Sequence, residues 1–154
     1  MAAFPPESWQ DGLAMPYLEP TQASAEALIS RQIVGPIMML NLLRFRDVAD
    51  YSADPELEPD EPISGAEAYR LYSEHTMPYL IASGGEVVLD GIGGGFFIGP
   101  SEERWDHVLL IRQSSLDDFF AFAFNPGYLA GLGHRTAALE DSRLLPIVDG
   151  PAAP

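Results

Sequence analysis

The sequence predicts an α+β domain, four antiparallel strands and two main helices in the order β-α-β-β-α-β. Two observations carry that prediction. Two near-continuous apolar runs of strand length, residues 36–45 and 105–112, carry large apolar side chains on both alternating sides, as strands covered on two faces do. Each is followed by a helix-length segment opened by a serine cap. A chain of 154 residues, 47% hydrophobic and 20% charged, fits one globular domain.

The chain divides into an N-terminal arm with a short helix (1–35), the α+β domain (36–148) and a tail (149–154). The arm is rich in proline and extended at first, and it offers Trp9 and Tyr17 for docking on the body or on a partner. Thr21 caps a short helix through about Gln32, with Ala25, Leu28, Ile29 and Ile33 on one stripe. The first strand, PIMMLNLLRF, sends residues 37, 39, 41, 43 and 45 one way and 38, 40 and 42 the other. The stretch from Asp47 to Pro62, with seven acidic residues and three prolines, reads as a solvated loop tacked down by Val48, Tyr51 and Leu57.

Ser64-x-x-Glu67 opens the first main helix with a capping-box pattern. Ala68, Tyr69, Tyr72, Thr76, Tyr79 and Leu80 form its stripe, Pro78 bends its last turns, and Gly84-Gly85 ends it. A second strand, Glu86–Asp90, precedes a glycine run at 91–95 read as a bulge or distorted hairpin, followed by strand-like FFIG. The third strand starts at Trp105. Ser114 or Ser115 then caps the second main helix, which Pro126 interrupts and which restarts through about Leu139. Arg143–Val148 closes the fold as an edge strand holding Pro146.

This split order is that of a ferredoxin-like domain, whose helices lie on one face of the sheet. The strands' second apolar side then needs a different cover. A homodimer supplies it, with two sheets closing into an α+β barrel over Met38, Leu40, Leu42, Val108 and Leu110.

Composition removes several function classes. A formal charge of −15, with eight arginines and no lysine, argues against nucleic acid and anionic membranes as partners. The absence of cysteine and lysine excludes thiolate and Schiff-base chemistry. HExxH, GxSxG and Walker patterns are missing and three histidines lack ligand spacing, so neither a metal nor a cofactor is expected. No secretory pattern opens the chain, and a cytoplasmic location is expected.

LNLLRF at 40–45, SGAEAYRLY at 64–72, GGEVVLDG at 84–91, RWDHVLLI at 104–111 and HRTAALEDSRLLP at 134–146 resemble the domain-of-unknown-function 1330 family of the dimeric α+β barrel superfamily. The resemblance runs from about residue 17 to 147. It departs after the third strand, where Arg112-Gln113-Ser114-Ser115 replaces an aromatic-Pro-Ser step. It implies a cleft between each subunit's sheet and its helices. Superfamily relatives include cofactor-free oxygenases, haem-degrading enzymes, dehydratases and plain binders, so fold alone selects no chemistry.

The candidate residues are polar groups inside apolar elements. His134 is a candidate acid/base, and Asn41, mid-strand, would orient a substrate carbonyl. Tyr69 and Tyr72 would line the cleft, Arg135 would hold an anionic end or pair with Glu140 or Asp141, and Trp105 and Asp106 are further binding candidates. Alternation sends Trp105 and His107 one way and Asp106 the other; His75 and His107 read as surface histidines. The function expected is binding of a small aromatic or acidic molecule, with or without His-mediated chemistry. A non-catalytic dimer module and a haem-binding or oxygenase-like protein are the alternatives.

Overall fold

The computed structural model describes residues 16–149; Trp9 and the tail beyond Asp149 lie outside them. The elements are α1 (Gln22–Ser30), β1 (Ile37–Phe45), a 3-10 turn (Pro55–Leu57), α2 (Gly65–Ala82), β2 (Glu86–Gly95), β3 (Arg104–Gln113), α3 (Leu116–Ala123), α4 (Pro126–Leu129), α5 (Leu132–Ala138) and β4 (Leu139–Ile147). The strands form one antiparallel sheet in the order β2-β3-β1-β4. This is the ferredoxin-like arrangement expected from the sequence.

Local chemistry sets the helix ends. The Thr21 hydroxyl accepts from Ser24 N–H at 3.0 Å and starts α1. Ser64 accepts from Glu67 N–H at 3.0 Å, but the capping box is only half formed, because the Glu67 carboxylate turns to Arg70. Ala68, Tyr69, Tyr72, Thr76 and Leu80 are buried as their spacing requires. Gly84 ends α2 at φ +88°, a left-handed position that favours glycine. Ser115, not Ser114, caps α3.

Ile37, Met39 and Leu43 of β1 are buried on the face that carries the helices, where Leu43 joins Ala68, Tyr69, Tyr72, Tyr128, Ala137, Ala138 and Leu139 in one core. No helix or strand among the described residues covers the leucine row on the opposite face. Register places Leu89, Leu110, Leu40 and Leu145 side by side across all four strands on that face. Leu89 and Leu145 are 51% and 56% exposed.

Three boundaries differ from expectation. The second helical segment breaks twice, giving α3, α4 and α5, and Leu139 begins β4 rather than ending a helix. The glycines at 91–95 lie in the β2–β3 hairpin and are not the bulge. They continue β2 in pairing with β3, and the register shift falls earlier, between Val87 and Leu89. Gly93 lies so close to the Trp105 carbonyl that a Cβ there would collide with it, and FFIG lies outside the strand. Of the loop's tacks, Tyr51 is buried and Leu57 packs on the core, whereas Val48 is exposed.

Candidate functional site

His134 sits on α5 with Nδ1 2.7 Å from the Tyr51 hydroxyl. Burial first, and then the neighbouring His75, lower its pKa, against an opposing pull from Asp54. The small residues around it serve packing. A Cβ on Gly131 would strike the His75 ring, one on Gly127 the Tyr79 ring, and one on Gly133 the side chains of Asp54 and Leu57. Space beside α4 and α5 is thus taken by the protein itself. His75 is half-buried rather than a surface histidine, its Nε2 2.7 Å from the Gly127 carbonyl.

Arg135 pairs with neither Glu140 nor Asp141. It donates to the Leu18 carbonyl at 2.6 Å and to Ser142 Oγ at 3.3 Å. With Asp141, which accepts from Tyr17 N–H at 2.8 Å, it fastens the end of the arm to β4. Tyr72 and Tyr128 satisfy each other, hydroxyl to hydroxyl, at 2.7 Å. One Asp106 oxygen accepts from Phe45 N–H at 2.8 Å and the other from Arg104 at 3.1 Å. Trp105 departs from simple alternation. Its buried ring lies 5.1 Å from the guanidinium carbons of Arg44 and Arg143, which belong to the bare face. The Asp106 carboxylate takes the Phe45 N–H just past Leu43–His107, the last residue pair of the β1–β3 ladder, and the alternation of β3 breaks there.

Asn41 and Tyr69 fall together with two residues that the sequence did not single out. Asn41 faces the helix side of β1, opposite Leu109, with His107 diagonal to it on β3. The register shift in β2 puts Asp90 opposite Leu109 on the same side. His107 Nε2 lies 2.5 Å from Asp90 Oδ1. The His107 ring stands 6.1 Å from Phe45, and Phe45 stands 5.5 Å from Tyr69. Burial, with lesser contributions from Tyr72 and Asp90, pushes the Tyr69 hydroxyl pKa up, so Tyr69 stays a hydrogen-bond donor. Among the described residues that hydroxyl has no side-chain or backbone partner. The helices shelter β1 but not β2, where Ile92, on the helix side, is 90% exposed.

Phe45 also walls an open depression of about 550 Å³, lined by Arg46, Ser64, Ala66, Arg104 and Asp106 at the end of β1. Arg46 makes no ion pair among the described residues, so it can meet a ligand's anionic group. The described residues hold no group of three or more His, Cys, Asp or Glu that could bind a metal, and no helix among them is long and apolar enough to cross a membrane.

No protein-family model and no curated protein matches the chain. Solved structures do. The RPA0582 protein of unknown function from Rhodopseudomonas palustris is 36% identical over 91% of this chain and 100% of its own, with a TM-score of 0.76. The methylated RPA0582 protein aligns at 33% identity over 90% of this chain and 98% of its own, with a TM-score of 0.79. A dimeric ferredoxin-like protein of unknown function from Thermobifida fusca aligns at 18% identity over 73% of this chain and 90% of its own, with a TM-score of 0.45.

Proposed function

The chain belongs to the family of the RPA0582 protein, and on that premise we propose that it is a homodimeric binding protein for a small organic molecule. Each subunit holds its ligand on the helix side of the sheet, from the depression at Phe45 along β3 toward Asn41 and His107. The observation that carries this reading is the incomplete cover of that side. Ile37 and Leu43 on β1 are fully buried, while Asp90 and Ile92 on β2 stand open beside the aromatic wall of Phe45 and Tyr69. Pockets for small ligands combine such apolar walls with a few placed polar groups. Arg46, at the mouth, suits a carboxylate end.

The bare leucine row supports the dimer. A second copy laid against it buries side chains worth roughly 1.5–3 kcal/mol each, whereas a monomer would leave an apolar patch in water. His134, Arg135 and the Tyr72–Tyr128 pair have partners within the chain and serve packing in this reading. The same contacts favour a second reading, a purely structural dimer without ligand.

Thermal unfolding with benzoate, phenylpyruvate and benzoylacetone separates the two. The ligand reading expects stabilisation by at least one probe, about 2.7 kcal/mol at a hundred times its dissociation constant. Ala66→Trp, which plugs the depression, should abolish the shift; Asn41→Ala should reduce it; His134→Ala should keep it. Identical shifts in all four proteins, or none in the wild type, leave the structural dimer standing.

A further inference from the structure

A carboxylate only accepts hydrogen bonds, so the contact from Asp90 to His107 Nε2 holds the proton of a neutral imidazole on Nε2. Nδ1 is then the basic nitrogen, and no group of the described residues bonds to it. This carboxylate-oriented histidine faces the helix side of the sheet, diagonal to Asn41 and across the Phe45 ring from Tyr69. A cross-strand ion pair would need only the Asp–His contact. Here a base, an aromatic surface and the buried Tyr69 hydroxyl, which has no partner among the described residues, lie on the helix side of the sheet.

We propose that His107, positioned by Asp90, is the acid/base of a proton transfer on a small carbonyl compound, with Tyr69 donating to the carbonyl oxygen and Phe45 supporting its apolar body. The proposal rests on the ligand reading above and names its chemistry. His107 Nδ1 takes a proton from the carbon next to the carbonyl. The C–H electron pair becomes the C=C bond of the enolate, and the carbonyl π pair moves to oxygen, where the Tyr69 O–H stabilises it. The imidazolium forms beside the Asp90 carboxylate, which stabilises it as it forms. Return of the proton to the same carbon gives exchange; delivery to a conjugated carbon gives an isomer. Nothing is oxidised or reduced and no second substrate is consumed.

The full-length protein in D2O tests this, with phenylpyruvate and the neutral diketone benzoylacetone as probes. Loss of the acidic C–H signal is followed by NMR, and binding is read in parallel by saturation transfer. The wild type should exchange at least one probe roughly 100-fold faster than the same concentration of imidazole. His107→Gln should remove that acceleration, and Tyr69→Phe should lower it roughly tenfold, both with binding kept. Asp90→Asn should slow exchange roughly tenfold while binding by saturation transfer is kept, a split between rate and binding that a merely structural aspartate would not cause. A wild type that binds a probe but exchanges it no faster than imidazole overturns the acid/base role and spares the ligand reading. One that binds neither probe overturns both.

Discussion

The Tyr51 hydroxyl and His134 Nδ1 lie 2.7 Å apart, joining the acidic loop to the last helix. Burial and the neighbouring His75 lower the pKa of the imidazole, against a smaller opposing pull from Asp54. Because the folded pKa lies below the unfolded value, the unfolded chain binds the proton more readily. The contribution of His134 to stability is therefore complete above about pH 6.5 and is lost as pH falls through the lowered folded pKa. Denaturant unfolding from pH 7.5 to 5 should show a component of up to about 1.4 kcal/mol per pH unit that vanishes in His134→Gln. Identical slopes in the two proteins would show that the histidine is not held neutral.

Tyr72 and Tyr128 bury their hydroxyls against each other. Removing one leaves the other without its partner, so Tyr72→Phe and Tyr128→Phe should each cost about 1–2 kcal/mol. The double variant should cost clearly less than the two single losses together. Strict additivity in chemical denaturation would mean that the two hydroxyls do not depend on each other.

Leu40 stands between Leu110 and Leu145 in the row that crosses the bare face. Leu40→Glu should leave the fold intact, since its side chain points away from the helices, and should weaken self-association. With two copies of the change per dimer and roughly 1.5–3 kcal/mol lost at each, the dissociation constant should rise roughly 100-fold or more. Sedimentation of wild type and variant over a concentration series measures it. A wild type that stays a single copy at micromolar concentration removes the proposed assembly.

Gly131 presses on the His75 ring, whereas Gly91 faces open space. Gly131→Ala should destabilise by about 1–3 kcal/mol through overpacking, and alanine is also a poorer N-cap for α5 than glycine. Gly91→Ala, read by the same melts, should be near neutral.

The sequence carried the framework well because strand alternation, serine caps and glycine stops are local signals. Residues 37, 39 and 43 faced the helices and 38, 40 and 42 faced away, as period-two alternation requires. The site was less legible. His134 looked catalytic because a histidine among glycines resembles a pocket; what fills that space is His75, Tyr79, Asp54 and Leu57 from elsewhere in the chain. Arg135 found its partners in Leu18 and Ser142, one of them 117 residues away. His107 looked exposed because its partner, Asp90, comes from another strand. A shift at Val87/Leu89 sets that meeting, and no local residue pattern announces it.

That irregularity acts as a parity switch for everything downstream in β2. Counting straight from Val87 opposite Ile111 would bring Leu89 opposite Leu109 and so under the helices. The extra residue instead sends Leu89 into the row beside Leu110 and turns Asp90 toward His107. Excising Val88 should leave both assignments as they are, since Leu89 would then follow Val87 directly opposite Leu110. Inserting one residue between Val88 and Leu89 should instead invert them in one stroke, burying a carboxylate between copies and placing a leucine in the groove. Self-association and ligand response would then fail together in a chain that still folds, which ties the two properties to a single inserted residue.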